Sequence, residues 1–278
     1  MTLVDAHHHV WDLSVRDQDW IPEHSPLRRD FTVADLEPEA RASGVDRTVL
    51  VQTITVPEET PEFLSLAATH DLIAGVVGWT DLTRPDIADE LSRLRELPGG
   101  THLKGIRHQV QGEPDPDWLL RPDVHRGLTA VAAAGLVYDL VVLPHQLPSC
   151  AKAAASLPQL TFVLDHLGKP PIASGALAPW SSDLRTLAAL PNTVAKLSGL
   201  VTEADAASWT PDDLRPYTET ALETFGPDRL MFGSDWPVCT ERAAYAEVLA
   251  TTRELTGGLS PAEHARLFET TATRVYDL

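Results

Sequence analysis

Cysteine is nearly absent: Cys150 and Cys239 are the only two in 278 residues, far apart and without CxxC spacing. Neither a disulfide framework nor a thiolate zinc site is expected. Basic charge is scarce as well. Lys and Arg number 22 against 40 Asp and Glu, a net charge of −18, and no basic stripe interleaved with aromatics appears. Nucleic acid and anionic membranes are therefore not expected as partners. No apolar run approaches the roughly 20 residues that cross a bilayer. The start, MTLVDAHHHV, lacks a cationic segment followed by an apolar one, so a cytoplasmic location is expected. GxGxxG and Walker-type loops are missing after the early apolar runs, which argues against a doubly wound nucleotide-binding sheet.

What the chain has is a core. Hydrophobic residues make up 43% and charged residues 22%, near the globular average and sufficient for folding without a partner. Eight short apolar runs follow one another: LVDAH (3–7), RTVLVQ (47–52), IAGVVGW (73–79), HLKGIRH (102–108), VYDLVVL (137–143), TFVLDH (161–166), NTVAKLSG (192–199) and RLMFGSD (229–235). Each reads as a buried strand bounded by Gly, Pro or polar residues. Between them lie stretches with helical spacing, such as Val33–Ser43, Pro122–Ala134 and Pro211–Phe225, each followed by a glycine that reads as a helix stop (Gly44, Gly135, Gly226). This alternation predicts an α/β fold, a TIM-like (β/α)8 barrel forming one domain over residues 1–278. QGEPDPDW (111–118) and KPPIASGALAPW (169–180) read as longer loops.

Barrel enzymes carry their reactive groups just past the C-terminal ends of the strands. There this sequence places His7 and His9, Gln52, Trp79 and Thr80, Arg107 and His108, His145, Asp165 and His166, Lys196 and Ser198, and Ser234 and Asp235. In Asp5-Ala6-His7-His8-His9 the period-2 alternation of a strand sends His7 and His9 to one side and His8 to the other. Two adjacent imidazoles can chelate a divalent metal or hydrogen-bond a carbonyl, and His166 and Asp235 would complete a mononuclear site. A tag remnant is the bland alternative for a His-rich start. It does not account for the apolar strand pattern or for the Val10-Trp11 that follows.

Asp235 lies in FGSDWP, where a lone Asp would ordinarily be a helix cap or turn residue. Gly233-Ser234 before it and Trp236-Pro237 after it suit a carboxylate held in one orientation, a general base or metal ligand. Arg107-His108 pairs a permanent cation with an imidazole, fit for binding a hydroxylated or carboxylate substrate or an oxyanion. For Arg107 the structural alternative is a salt bridge to Asp139 or Asp165. His24, His70, His102, His125 and His264 fall away from strand ends and read as surface or locally satisfied residues.

The segments DAHHHVW, VVGWTDL, KGIRHQVQ, YDLVVLPHQLP, DHLGKPPI, AKLSGL and FGSDWPVC resemble, in order and across the chain, the lactonase branch of the amidohydrolase superfamily. That branch is the amidohydrolase-2 type that includes L-fuconolactone and L-rhamnonolactone hydrolases. The resemblance implies a distorted (β/α)8 barrel that opens a 1,4- or 1,5-aldonolactone, a small-molecule sugar lactone. His7, His9, His166 and Asp235 match the family's metal-site positions, and Arg107 with His108 its strand-4 pair. It further implies Asp235, His166, His108 and Arg107 as catalytic residues, with Trp11, Trp79, Arg107, His145 and Trp236 against substrate. One divalent metal, zinc foremost, or none is implied: Lys104 precedes Arg107 and His145 lies past strand 5, so the second-metal ligands of binuclear relatives have no clear match. Two rivals accompany this reading, a non-oxidative decarboxylase and a catalytically silent sugar-acid binding barrel. A monomer or homodimer fits either.

Overall fold

The computed structural model describes residues 2–278. All eight expected strands form: β1 (Val4–His8), β2 (Arg47–Val51), β3 (Ile73–Gly78), β4 (Leu103–His108), β5 (Val137–Leu140), β6 (Phe162–Leu164), β7 (Thr193–Leu197) and β8 (Leu230–Phe232). They pair in parallel in sequence order. The sheet closes into a barrel where the Asp235 amide donates to the His7 carbonyl at 2.8 Å and the His9 amide to the Trp236 carbonyl at 2.7 Å. Parallel neighbours require crossovers, and helices supply them. They run from α1 (Val33–Ala42) and α2 (Glu59–Ala67) through α3 (Ile87–Glu96), α4 (Pro122–Ala133), α5 (Leu147–Ser156) and α6 (Trp180–Ala188). A short α7 (Leu200–Glu203) precedes α8 (Pro211–Phe225), and α9 (Tyr245–Leu255), α10 (Pro261–Ala265) and α11 (Thr271–Tyr276) complete the chain. Among the described residues no helix is long and apolar enough to cross a membrane.

The helix boundaries follow local chemistry. Thr32 caps α1 through a reciprocal box with Asp35, and Thr210 does the same for α8 with Asp213. Pro122 and Pro211 occupy first-turn positions, where no backbone N–H is required. The expected helices end one or two residues before the glycines read as stops; Gly44 and Gly135 lie at φ +81° and +67°.

Most apolar burial lies between barrel and helices, with Leu36, Leu50, Val124, Leu128, Trp180 and Leu184 among the residues fully enclosed. A second cluster fills the lower barrel interior: Val4 and Ala6 with Val49, Val51, Val77, Val137, Val163, Val194, Met231 and Tyr276. Above this apolar layer the interior turns polar, with Arg107, Asp139, Asp165 and Lys196 each at most 3% exposed. Buried charges are tolerated only when paired and hydrogen-bonded, and these four are.

Candidate active site

A bulge decides which histidines enter the barrel. Asp5 pairs with Thr48 and His8 with Leu50, so one extra residue is accommodated on β1 between the two registers. Such an insertion re-aims the side chains beyond it. His8 turns outward onto the Thr48 hydroxyl at 2.9 Å, while His7 and His9 bring their Nε2 atoms to 3.1 Å of each other. Asp5 anchors the seam from the other side, accepting from the Ser234 amide at 2.8 Å, the Ser234 hydroxyl at 2.6 Å and the Tyr245 hydroxyl at 2.9 Å.

Two more strands deliver the rest of the group. Past β6, His166 has φ +54°, and past β8, Asp235 has φ +58°, a left-handed conformation that costs a non-glycine residue roughly 1–2 kcal/mol. Strain of this kind clusters at functional sites. Its effect here is to aim both side chains at one point: Asp235 Oδ1 lies 3.7 Å from His7 Nε2, 3.6 Å from His9 Nε2 and 3.8 Å from His166 Nε2. Two glycines make the room. A Cβ on Gly199 would meet His166 Nδ1 at 2.5 Å, and one on Gly233 would meet His7 Cβ at 2.7 Å.

Each ring is oriented from behind. His9 Nδ1 lies 2.8 Å from the Val51 carbonyl, so it carries the proton and Nε2 faces the site as a lone pair. His166 Nδ1 meets the Ser198 hydroxyl at 2.9 Å. His7 Nδ1 lies between Lys196 Nζ at 3.1 Å and Asp165 Oδ1 at 3.3 Å. Burial holds all three imidazoles below their ordinary range, His166 down to about 4. Burial also opposes the charge of Asp235, but His166 and His9 outweigh it and leave its carboxyl lowered. At neutral pH the group is therefore a carboxylate among neutral imidazoles.

That donor set fits a divalent cation. Tetrahedral zinc at about 2.0–2.1 Å from its ligands separates donor atoms by about 3.3 Å, and the separations of 3.1, 3.6 and 3.7 Å among His7, His9 and Asp235 span that value. His7, Asp165 and His166 form a second potential group. Asp165 is already committed there, to Arg107 at 2.9 Å and to Lys196 at 3.0 Å. Burial works against the Asp165 charge, but Lys196, His7 and Arg107 hold its carboxyl well below the usual range. Lys196 also pairs with Asp139 at 2.6 Å, and Asp139 accepts from the Tyr276 hydroxyl at 2.8 Å. Burial pushes Asp139 up to about 6 despite Lys196.

Above this group opens a cavity of about 630 Å³, lined at its base by His9, Arg107, His166 and Asp235. Its walls come from the loops after the strands: Arg16–Trp20 in part, Thr53–Val56, Gln109–Gly112 in part, and Lys169. His7 lies behind His9, fully buried. Arg107 plays both parts weighed for it, since it pairs with Asp165 and still reaches the cavity.

The other sequence-derived positions fall outside the cavity lining. His108 has both nitrogens occupied, accepting from Trp79 Nε1 at 3.0 Å and meeting Glu113 Oε1 at 2.7 Å, and it stacks on Trp118 at 4.2 Å between centroids. Trp79 is turned toward it. Trp11 donates to the Arg29 carbonyl at 2.7 Å and packs edge-on to Phe31, which also receives Trp236. Trp236 faces away because Asp235, its neighbour, faces in. His145 sits exposed in a single helical turn, Pro144–Gln146. Conversely, Lys169, Thr53 and Trp20 line the cavity without having been singled out. Loop side chains carry no periodicity from which a direction could be read.

Comparison with known proteins follows the same lines. Residues 4–278 match the amidohydrolase family. The L-fucono-1,5-lactonase of Burkholderia multivorans is 41% identical over 99% of this chain and 96% of its own length. The crystal structure of an amidohydrolase from the same species with bound zinc superposes with a TM-score of 0.94, at 40% identity and full coverage of both chains. A 5-carboxyvanillate decarboxylase from Sphingomonas paucimobilis shares the fold at a TM-score of 0.65 and 16% identity, over 100% of this chain and 99% of its own.

Proposed function

The chain belongs to the amidohydrolase family, and on that footing we propose that its cavity opens L-fucono-1,5-lactone, or an aldonolactone close to it, with a water that Asp235 deprotonates. It is a sugar-lactone hydrolase. The observation that carries the mechanism is the convergence of three imidazole Nε2 atoms on Asp235 Oδ1 within 3.8 Å at the base of the cavity.

In the proposed reaction the Asp235 carboxylate accepts a proton from water as the water oxygen bonds to the lactone carbonyl carbon. The carbonyl electron pair moves onto its oxygen, where Arg107 can donate, as can the Nε2–H of His166 when the Ser198 hydroxyl donates to Nδ1. Collapse breaks the bond to the ring oxygen, which takes the proton held by Asp235. The acid released then ionises to an aldonate and gives its proton to solvent. General-base assistance of this kind contributes roughly 10²–10⁴-fold, and a lactone is an activated ester. His7, His9 and Asp235 would hold the divalent ion, which leaves His166 Nε2 its proton, with zinc the favoured ion given the zinc in the Burkholderia amidohydrolase structure. When bound, it would supply Lewis-acid polarisation of the carbonyl and acidify the water.

The test is a panel of 1,4- and 1,5-aldonolactones followed with a pH indicator. Proton release with L-fucono-1,5-lactone or its stereochemical neighbours is expected. A folded, metal-replete enzyme that turns over no lactone would defeat the reading.

A further inference from the structure

Resting on that reading of the cavity, we propose that Lys169 is a further residue that recognises negative charge in the reaction, beside Arg107 and His166 on the carbonyl oxygen as the lactone opens and, after it, on the carboxylate of the aldonate product. Six charged side chains line the cavity: Arg16, Asp17, Asp19, Arg107, Lys169 and Asp235. Arg16 is committed to Glu62 through two hydrogen bonds of 2.9 Å. Arg107 is committed to Asp165 at 2.9 Å and to Gln52 Oε1 at 3.0 Å. Among the described residues, Lys169 Nζ makes neither a hydrogen bond nor an ion pair. Of the three cations in the wall it alone has no partner among the described residues.

Its backbone shows that this placement is imposed. His166, Leu167, Gly168 and Lys169 lie at φ +54°, +53°, +70° and +55°, a left-handed run that persists only where the surroundings over-determine it. Trp180 Nε1 clamps the Leu167 carbonyl at 2.8 Å, and a Cβ on Gly168 would strike Leu147 at 2.8 Å. The same four-residue turn sets the orientation of His166 and carries Lys169 to the cavity wall. Lys169 acts electrostatically on His166, Asp235 and Glu203, the last a carboxyl raised by burial and by Asp235.

The chemistry requires such a cation. The lactone is neutral and the aldonate is anionic, and the charge arises beside the Asp235 carboxylate in a protein of net charge −18. A mobile, strongly hydrated ammonium on a flexible stem suits an oxygen that changes charge and position during the reaction.

The experiment compares wild type with Lys169→Met, Lys169→Gln and Lys169→Arg in the full-length, metal-replete enzyme. It measures kcat and KM for L-fucono-1,5-lactone and the product-inhibition constant for L-fuconate. In the Met and Gln variants the inhibition constant is expected to rise about tenfold or more, the loss of one charge-assisted contact. KM for the neutral lactone should change less than about threefold and kcat fall about tenfold. Arg should restore most of the L-fuconate affinity. Since Nζ has no protein partner, thermal midpoints should stay near wild type. An L-fuconate inhibition constant unchanged in the neutral variants, with wild type active on the lactone, overturns the assignment. A wild type inactive on the lactone overturns the functional reading instead.

Discussion

The amide of Asp235 donates to the carbonyl of His7 at 2.8 Å, so one of the two hydrogen bonds that close the barrel also sets the carboxylate beside the first histidine. Strand closure and site assembly are a single event in this molecule. The residue proposed as general base is thus positioned through its peptide backbone, with its carboxylate turned toward the three imidazoles.

Asp235→Asn tests the base directly. Asn tolerates the left-handed φ of +58° nearly as well as Asp, so the fold should persist with an unchanged unfolding midpoint. Turnover should fall by about 10²–10⁴-fold, read from proton release with the lactone, and elemental analysis of the same sample should show weakened zinc retention. Near-wild-type turnover would remove Asp235 from the mechanism.

Gly199→Ala separates orientation from stability. At φ +64° an alanine costs roughly 1–2 kcal/mol, while its Cβ would press on His166 Nδ1, 2.5 Å away in the present geometry. Activity should drop about 100-fold, as expected for a reacting group displaced by about 1 Å. Urea titration beside steady-state kinetics checks this, and a loss of activity no greater than the loss of folded fraction would contradict it.

Lys196→Met leaves Asp139 and Asp165 facing each other without their shared cation. Breaking a buried pair this way costs about 3–5 kcal/mol, a large part of the stability of a domain. Tyr276→Phe removes only the 2.8 Å hydrogen bond to Asp139 and should cost about 1–3 kcal/mol. Denaturant unfolding of both variants gives the ranking, and a Tyr276 effect exceeding that of Lys196 would refute it.

Glu59 supplies a pH dependence away from the histidines. Its carboxyl, 2% exposed at the start of α2, accepts from the Thr53 amide at 2.8 Å and also from the Thr53 hydroxyl and the Ile54 amide, holding a cavity loop. Burial raises it from 4.5 to about 7. Between those values the folded protein binds more protons than the unfolded chain, so stability falls as pH rises from about 4.5 to 7 and is level above. The difference between wild type and Glu59→Gln should show this slope, up to about 3 kcal/mol in total. Parallel pH profiles for the two proteins would exclude it.

Much of this architecture was legible in the sequence. The eight strands, their order and the glycine stops follow from apolar runs and breakers, signals confined to neighbouring residues. His7 and His9 could be put on one face because strand alternation is local. The bulge that puts that face inside the barrel is a matter of pairing with β2 and leaves no mark in DAHHH. For the tryptophans the direction failed to transfer: Trp11 and Trp236 brace Phe31 rather than the cavity, because an aromatic beside a reactive residue serves as readily to wedge the loop that carries it. Lys169 stood in plain sight in DHLGKP. Only the run of positive φ angles before it turns the side chain toward Asp235.

The reach of α11 has a consequence for the imidazoles. Tyr276, in that helix, touches Asp139, which holds Lys196, which touches His7 on β1. Loosening α11 would leave the eight strands and their histidines paired but withdraw the brace beneath them, so a disturbance in that helix would be felt in the ring of His7.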